Sequence, residues 1–108
     1  MDIEKRMQLI TRNTEEVMTL EDLKTLLETG VRLQHYIGFE ISGKIHLGTG
    51  LMCMSKVKDF MQAGIKCQIF LADWHSWIND KLGGDMDVIG RIAGGYFKEG
   101  MKASLKCM

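Results

Sequence analysis

Apolar residues recur at helical spacing from the start of the chain. Ile3, Met7 and Ile10, with Leu9 beside them, predict a short amphipathic helix over residues 2–12. Asn13 and Thr14 break it. Thr19 then stands where an N-cap belongs, with Asp22 three residues on, an approximation to a capping box. Leu20, Leu23, Leu26 and Leu27 form the stripe of this second helix, and Gly30 sits at the C-terminal cap position. The period then changes. Gln34–Phe39 reads as a short strand, and residues 40–50 as a glycine-bearing loop. A third helix spans about Leu47 to Ala63, with Gly64 as its stop signal. Lys66–Ala72 predicts a second strand, apolar at its end. Residues 73–84 read as irregular or briefly helical. Asp85 caps a last helix that reaches the C-terminus. Gly90, Gly94, Gly95 and Gly100 weaken that helix by roughly 1 kcal/mol each relative to alanine, so packing must hold it.

The order α-α-β-α-β-α is an α/β pattern. A strand, a helix and a strand make a right-handed βαβ unit with parallel strands, which ask for cover on both faces. The two leading helices (residues 1–30) and the last helix are available for that, the βαβ unit and final helix occupying residues 34–108. Two strands are few for a doubly wound sheet. The expectation is therefore the N-terminal half of a larger Rossmann-like domain, whose bare sheet edge and apolar helix faces would favour self-association of this stretch alone.

Composition narrows the class. Fourteen Lys and Arg balance fourteen Asp and Glu, so the chain lacks the basic excess needed to hold nucleic acid by charge alone. At 45% apolar residues it can fill a core and is not a disordered sequence. Uninterrupted apolar runs reach only four residues, as at Ile69–Ala72, and no membrane partner is expected. Cys53, Cys67 and Cys107 have no CxxC spacing. They read as free thiols in a reducing, cytoplasmic compartment.

Candidate chemistry concentrates in Tyr36-Ile37-Gly38-Phe39-Glu40-Ile41-Ser42-Gly43-Lys44-Ile45-His46-Leu47-Gly48-Thr49, which runs from a strand into a helix. Such a junction gathers main-chain N–H groups and the positive helix end at one spot, a site for phosphate. Gly48 in the first turn lets a ligand approach the backbone, and His46 can donate a ring N–H to a phosphate oxygen. Neither a Walker A loop nor G-x-G-x-x-G is present. Spacing alone leaves a plain strand-to-helix turn with a surface histidine open beside the phosphate reading.

The stretch YIGFEISGKIHLGTG resembles the signature of archaeal and eukaryotic-type tyrosyl-tRNA synthetases, class I enzymes with a "HIGH" motif. Ile69-Phe70-Leu71-Ala72-Asp73-Trp74-His75-Ser76-Trp77-Ile78-Asn79 is similar to the same family's "LLADxHxxxN" segment, and Arg12-Asn13-Thr14 also fits. The resemblance covers essentially the whole chain, and two motifs at the right distance make it specific. It implies a class I synthetase catalytic domain that ligates tyrosine to tRNA-Tyr. ATP with Mg2+ would be its substrate, with no tightly bound cofactor and no metal site of its own. The whole enzyme would be a homodimer.

The resemblance also implies roles. Tyr36 would meet the substrate phenol in an enclosed pocket. Gly38 and Glu40 would floor the adenylate site, His46 would stabilise the ATP phosphates, and Gly48 would pack under the adenine. Phe70, Ala72 and His75 would lie along the tyrosine side chain and its entrance, with Asp73 a polar group at the pocket edge. Thr49 takes the motif's last position in place of histidine; its hydroxyl can donate but cannot carry a proton at neutral pH. Ile41 replaces the usual proline, so the loop is less rigid. The family's "KMSKS" loop and anticodon-binding domain are absent from these residues, so this stretch alone would bind ATP weakly and form adenylate slowly.

The other candidates take blander readings. His35 alternates to the opposite strand face from Tyr36 and reads as structural or exposed. Asp73 and His75 make two ligands without a third, too few for zinc. Ser76 beside them has no nucleophile motif around it. Trp74 and Trp77 read as a packing pair, Lys44 as a loop lysine near phosphate or solvent, and Met52, Met54 and Met61 as core filler. Two rival functions stand beside tyrosine ligation: another nucleotidyltransferase with an H-x-G-H-like loop, and a nucleotide- or tyrosine-binding fragment without activity.

Overall fold

The computed structural model describes residues 2–107. Its elements are α1 (Ile3–Thr11), α2 (Leu20–Glu28), β1 (Gln34–Glu40), α3 (Met54–Gln62), β2 (Lys66–Ala72), α4 (Asp73–Ile78), α5 (Met86–Ile92) and α6 (Lys98–Cys107). The α/β order is the expected one. Punctuation falls where the residues place it. The Thr19 hydroxyl accepts the Asp22 N–H, and Gly30 takes φ +74° just past α2. Asn13, at φ 58°, ends α1 in the left-handed region.

Two stretches differ from plain α-helix. The helix after the loop begins with a wide, π-type turn over Leu47–Cys53 before α3, and the last helix is interrupted by a second one over Ala93–Phe97. Each holds two glycines, Gly48 with Gly50 and Gly94 with Gly95. Glycine lowers the local preference for α geometry, so packing decides how these turns wind.

The strands pair in the order β1–β2. The Lys66 N–H donates to the Leu33 carbonyl at 3.3 Å, and a Cβ on Gly38 would lie 3.7 Å from the Phe70 ring. Both strands therefore advance together, and the pair is parallel. Alternate residues share a face. His35, Ile37 and Phe39, with Cys67, Ile69 and Leu71, are buried or half-buried; Gln34, Tyr36 and Gly38, with Lys66, Gln68 and Phe70, are exposed. Cover on both faces was expected, yet among the described residues one face stays open. Gln34, Lys66 and Gln68 alternate onto it and suit water.

The chain forms two compact units. One comprises the stretch up to His35 with Lys56–Gln68, the other Tyr36–Ser55 with the stretch from Ile69 on. In the first, Ile10, Leu27, Ala63 and Ile65 make the core, with Leu23 and Phe60 against it. Arg12 pairs with Asp59 through two hydrogen bonds. The Lys56 ammonium caps the end of α1 at the Leu9 and Arg12 carbonyls (2.9 and 2.8 Å). In the second, Phe39, Ile41, Met54, Ile89, Phe97 and Met101 are buried.

Candidate functional site

The period of two that exposes one face of β1 and β2 places Tyr36, Gly38, Glu40, Phe70 and Ala72 on that same face. Tyr36 is 80% exposed and Phe70 57%, so their rings form an open platform. The described side chains do not enclose Tyr36, unlike the expected pocket. A Cβ on Gly38 would make only ordinary van der Waals contact with the Phe70 ring at 3.7 Å, so space within the described residues does not require glycine there.

The strand exits are tied to one another. Ser76, with no exposed surface, accepts the Ile41 N–H at 2.6 Å and donates to the Ala72 carbonyl at 2.7 Å. One buried hydroxyl thus joins the chain leaving β1 to the end of β2. Nearby, the Asn79 amide donates to Glu40 Oε1 at 2.8 Å, which fixes that carboxylate. Asp73 is half-buried and accepts the N–H of Trp74 at 2.8 Å, and His75 stands exposed on α4.

The loop then reaches His46, whose extended backbone (φ −129°, ψ −177°) makes it the N-cap of the wide turn. Its Nδ1 accepts the Gly48 N–H at 3.0 Å. Thr49 Oγ1 accepts the His46 N–H at 3.3 Å and contacts the His46 carbonyl at 3.5 Å. The first turn's donors are therefore partly consumed within the chain, and Thr49 serves the cap. With Nδ1 accepting, the neutral imidazole carries its proton on Nε2, the one ring donor left for a ligand.

Three positions outside the expected set bond to the stretch from Glu40 to Ile45: Ser76, Asn79 and Tyr96, whose hydroxyl accepts the Ile45 N–H at 3.2 Å. Asn79 closes the "LLADxHxxxN"-like segment, a signal that could have marked it. Nothing in the sequence marks Ser76 or Tyr96, because their partners lie 35 and 51 residues away. His35 packs against Phe60, ring centroids 4.6 Å apart, with a buried Nδ1 that has no hydrogen-bond partner among the described residues. Burial pushes its pKa down, in keeping with a structural role. Trp74 and Trp77 meet edge to face at 6.1 Å. Among the described residues, no three His, Cys, Asp or Glu side chains gather as a metal site, and no helix is long and apolar enough to cross a membrane.

Comparison with known proteins adds an independent finding. The family of class I tRNA synthetases (W and Y) matches residues 7–91. The tyrosine–tRNA ligase of Thermococcus sibiricus is 68% identical over the whole of this chain, and that of Pyrobaculum calidifontis 52%. The chain spans 29% of the length of either. The structure of the Pyrococcus horikoshii tyrosyl-tRNA synthetase complexed with L-tyrosine superposes with a TM-score of 0.94 at 63% identity, over 98% of this chain and 29% of that one. The Leishmania major enzyme in complex with tyrosinol gives 0.87 at 34% identity, over 95% and 15%.

Proposed function

The chain belongs to the class I tRNA synthetases of the tryptophan and tyrosine type, and from that membership we propose that it is the opening part of a tyrosine–tRNA ligase catalytic domain. The observation that carries this reading is the His46 ring, held by Gly48 with Nε2–H as its free donor, at the end of a loop that leaves the open face of β1. That face would receive tyrosine and its adenylate, with Tyr36 toward the phenol, Phe70, Ala72, Asp73 and His75 along the side chain, and Gly38 and Glu40 beneath.

In the first step a tyrosine carboxylate oxygen attacks the α-phosphorus of ATP. The bond from that phosphorus to the bridging oxygen breaks, and pyrophosphate leaves. The chain's part is positioning and charge. His46 Nε2–H donates to a phosphate oxygen as negative charge grows there, and Gly48 lets the nucleotide close on the backbone. Mg2+ arrives with ATP as substrate. In the second step a hydroxyl of the terminal tRNA ribose attacks the tyrosyl carbonyl, and AMP leaves. The whole enzyme would be a cytoplasmic homodimer whose further domain binds tRNA-Tyr, and the three free cysteines suit a reducing setting.

A chimera tests this, with the chain replacing the matching segment of the Thermococcus sibiricus ligase. Tyrosine-dependent exchange of pyrophosphate into ATP is the expected result. Exchange driven by tryptophan would reassign the amino acid. Exchange without any amino acid would favour a nucleotidyltransferase of another kind. A folded chimera with no exchange would leave only the inactive binding fragment.

A further inference from the structure

We propose that Tyr96 is a positioning residue for His46, acting through Ile45; this deepens the reading of His46 above and rests on it. Tyr96, Gly100 and Ser104 are spaced four apart and share one helix face. Ile45, the residue before His46, meets that face with both backbone and side chain. Its N–H donates to the Tyr96 hydroxyl at 3.2 Å. Its side chain fills the space that two glycines leave open. A Cβ on Gly100 would collide with Ile45 Cδ1, and one on Gly50 would lie 2.7 Å from Ile45 Cγ2 and 3.2 Å from Ser104 Oγ.

Ile45 is thus caught between the helix that follows the loop and the last helix of the chain. His46 is consequently fixed on both sides, by the tether on Ile45 before it and by its own ring bond to Gly48 after it. Tyr96 itself lies in the wide turn Ala93–Phe97. A wide turn carries an extra residue and re-aims the side chains around it, and such turns recur at functional sites. A loop of Gly43 and exposed polar residues would otherwise let the histidine wander, and in-line phosphoryl chemistry is sensitive to placement on the ångström scale.

Tyr96→Phe removes the acceptor and keeps the ring. In the chimera with the Thermococcus sibiricus ligase, kcat for tyrosyl-adenylate formation should fall about three- to ten-fold, the worth of one partly exposed hydrogen bond. KM for tyrosine and the melting temperature should stay unchanged. Gly100→Ala, which costs the helix nothing, should lower kcat further, and adding Ile45→Val, which removes Cδ1, should restore it. Independently of activity, the Ile45 amide of the 108-residue chain should exchange faster with solvent in Tyr96→Phe. Unchanged kcat, or an Ile45 amide that exchanges as before, would overturn the tether. Equal losses in kcat and in tyrosine binding would overturn its action through His46. An unmodified chimera without exchange would sink the reading of His46 itself, while the Ile45 amide still decides the contact.

Discussion

The Gly48 N–H donates to Nδ1 of His46 at 3.0 Å, and a methyl group on Gly48 would stand 2.8 Å from Cε1 of the same ring. The bond and the missing side chain serve one purpose, which is to fix the imidazole with Nε2 outward. The glycine is therefore needed for the ring's position.

Gly48→Ala should separate stability from chemistry. Alanine in place of a helical glycine ordinarily stabilises by about 0.5–1 kcal/mol. Here the ring must shift to admit the methyl group. We expect an unchanged or raised melting temperature, with adenylate formation in the chimera slowed roughly ten- to a hundred-fold. Parent-like single-turnover rates would show that the ring's placement does not matter.

Ser76→Ala should leave the Ile41 N–H buried and unpaired, because both residues are without exposed surface. Stability should fall by about 1–3 kcal/mol in urea unfolding. A change within about 0.5 kcal/mol, the range of a surface substitution, would mean that the hydroxyl does not join the strand exits.

Asp59 links stability to pH. The hydrogen bonds from Arg12, then its charge and that of Lys56, outweigh burial and hold the Asp59 carboxyl below its ordinary value of 3.8. A lowered folded pKa gives stability that is fully present above 3.8 and is lost as pH falls through the folded value. Asp59→Asn should lower stability at neutral pH and flatten the fall in stability below pH 3.8. Parallel acid-unfolding curves for the two proteins would contradict the pairing.

Local signals carried much of this fold. Thr19, Gly30 and Asp85 act within a few residues of themselves, so their capping is legible in the chain. Period two put His35 on the opposite strand face from Tyr36, as the alternation of burial along β1 has it, and the strand-to-helix loop ending in His46 was visible as a motif. Hidden from the sequence were the contacts that hold the site. Ser76 had no motif around it, and Tyr96 carried no signal of its own. The two wide turns escaped for a related reason. Glycines signal weak helix, and only packing, such as Ile45 against Gly50 and Gly100, decides how the turn winds.

The most direct measurement is the single-turnover rate of tyrosyl-adenylate formation in His46→Ala, set beside the affinity for tyrosine in the same chimera. A donor that meets phosphate as charge develops acts on the rate and not on amino-acid binding. The expected result is a rate lowered on the order of a hundred-fold with tyrosine affinity nearly unchanged. An equal loss in both, or no loss in rate, would contradict the placement of His46 against the ATP phosphates.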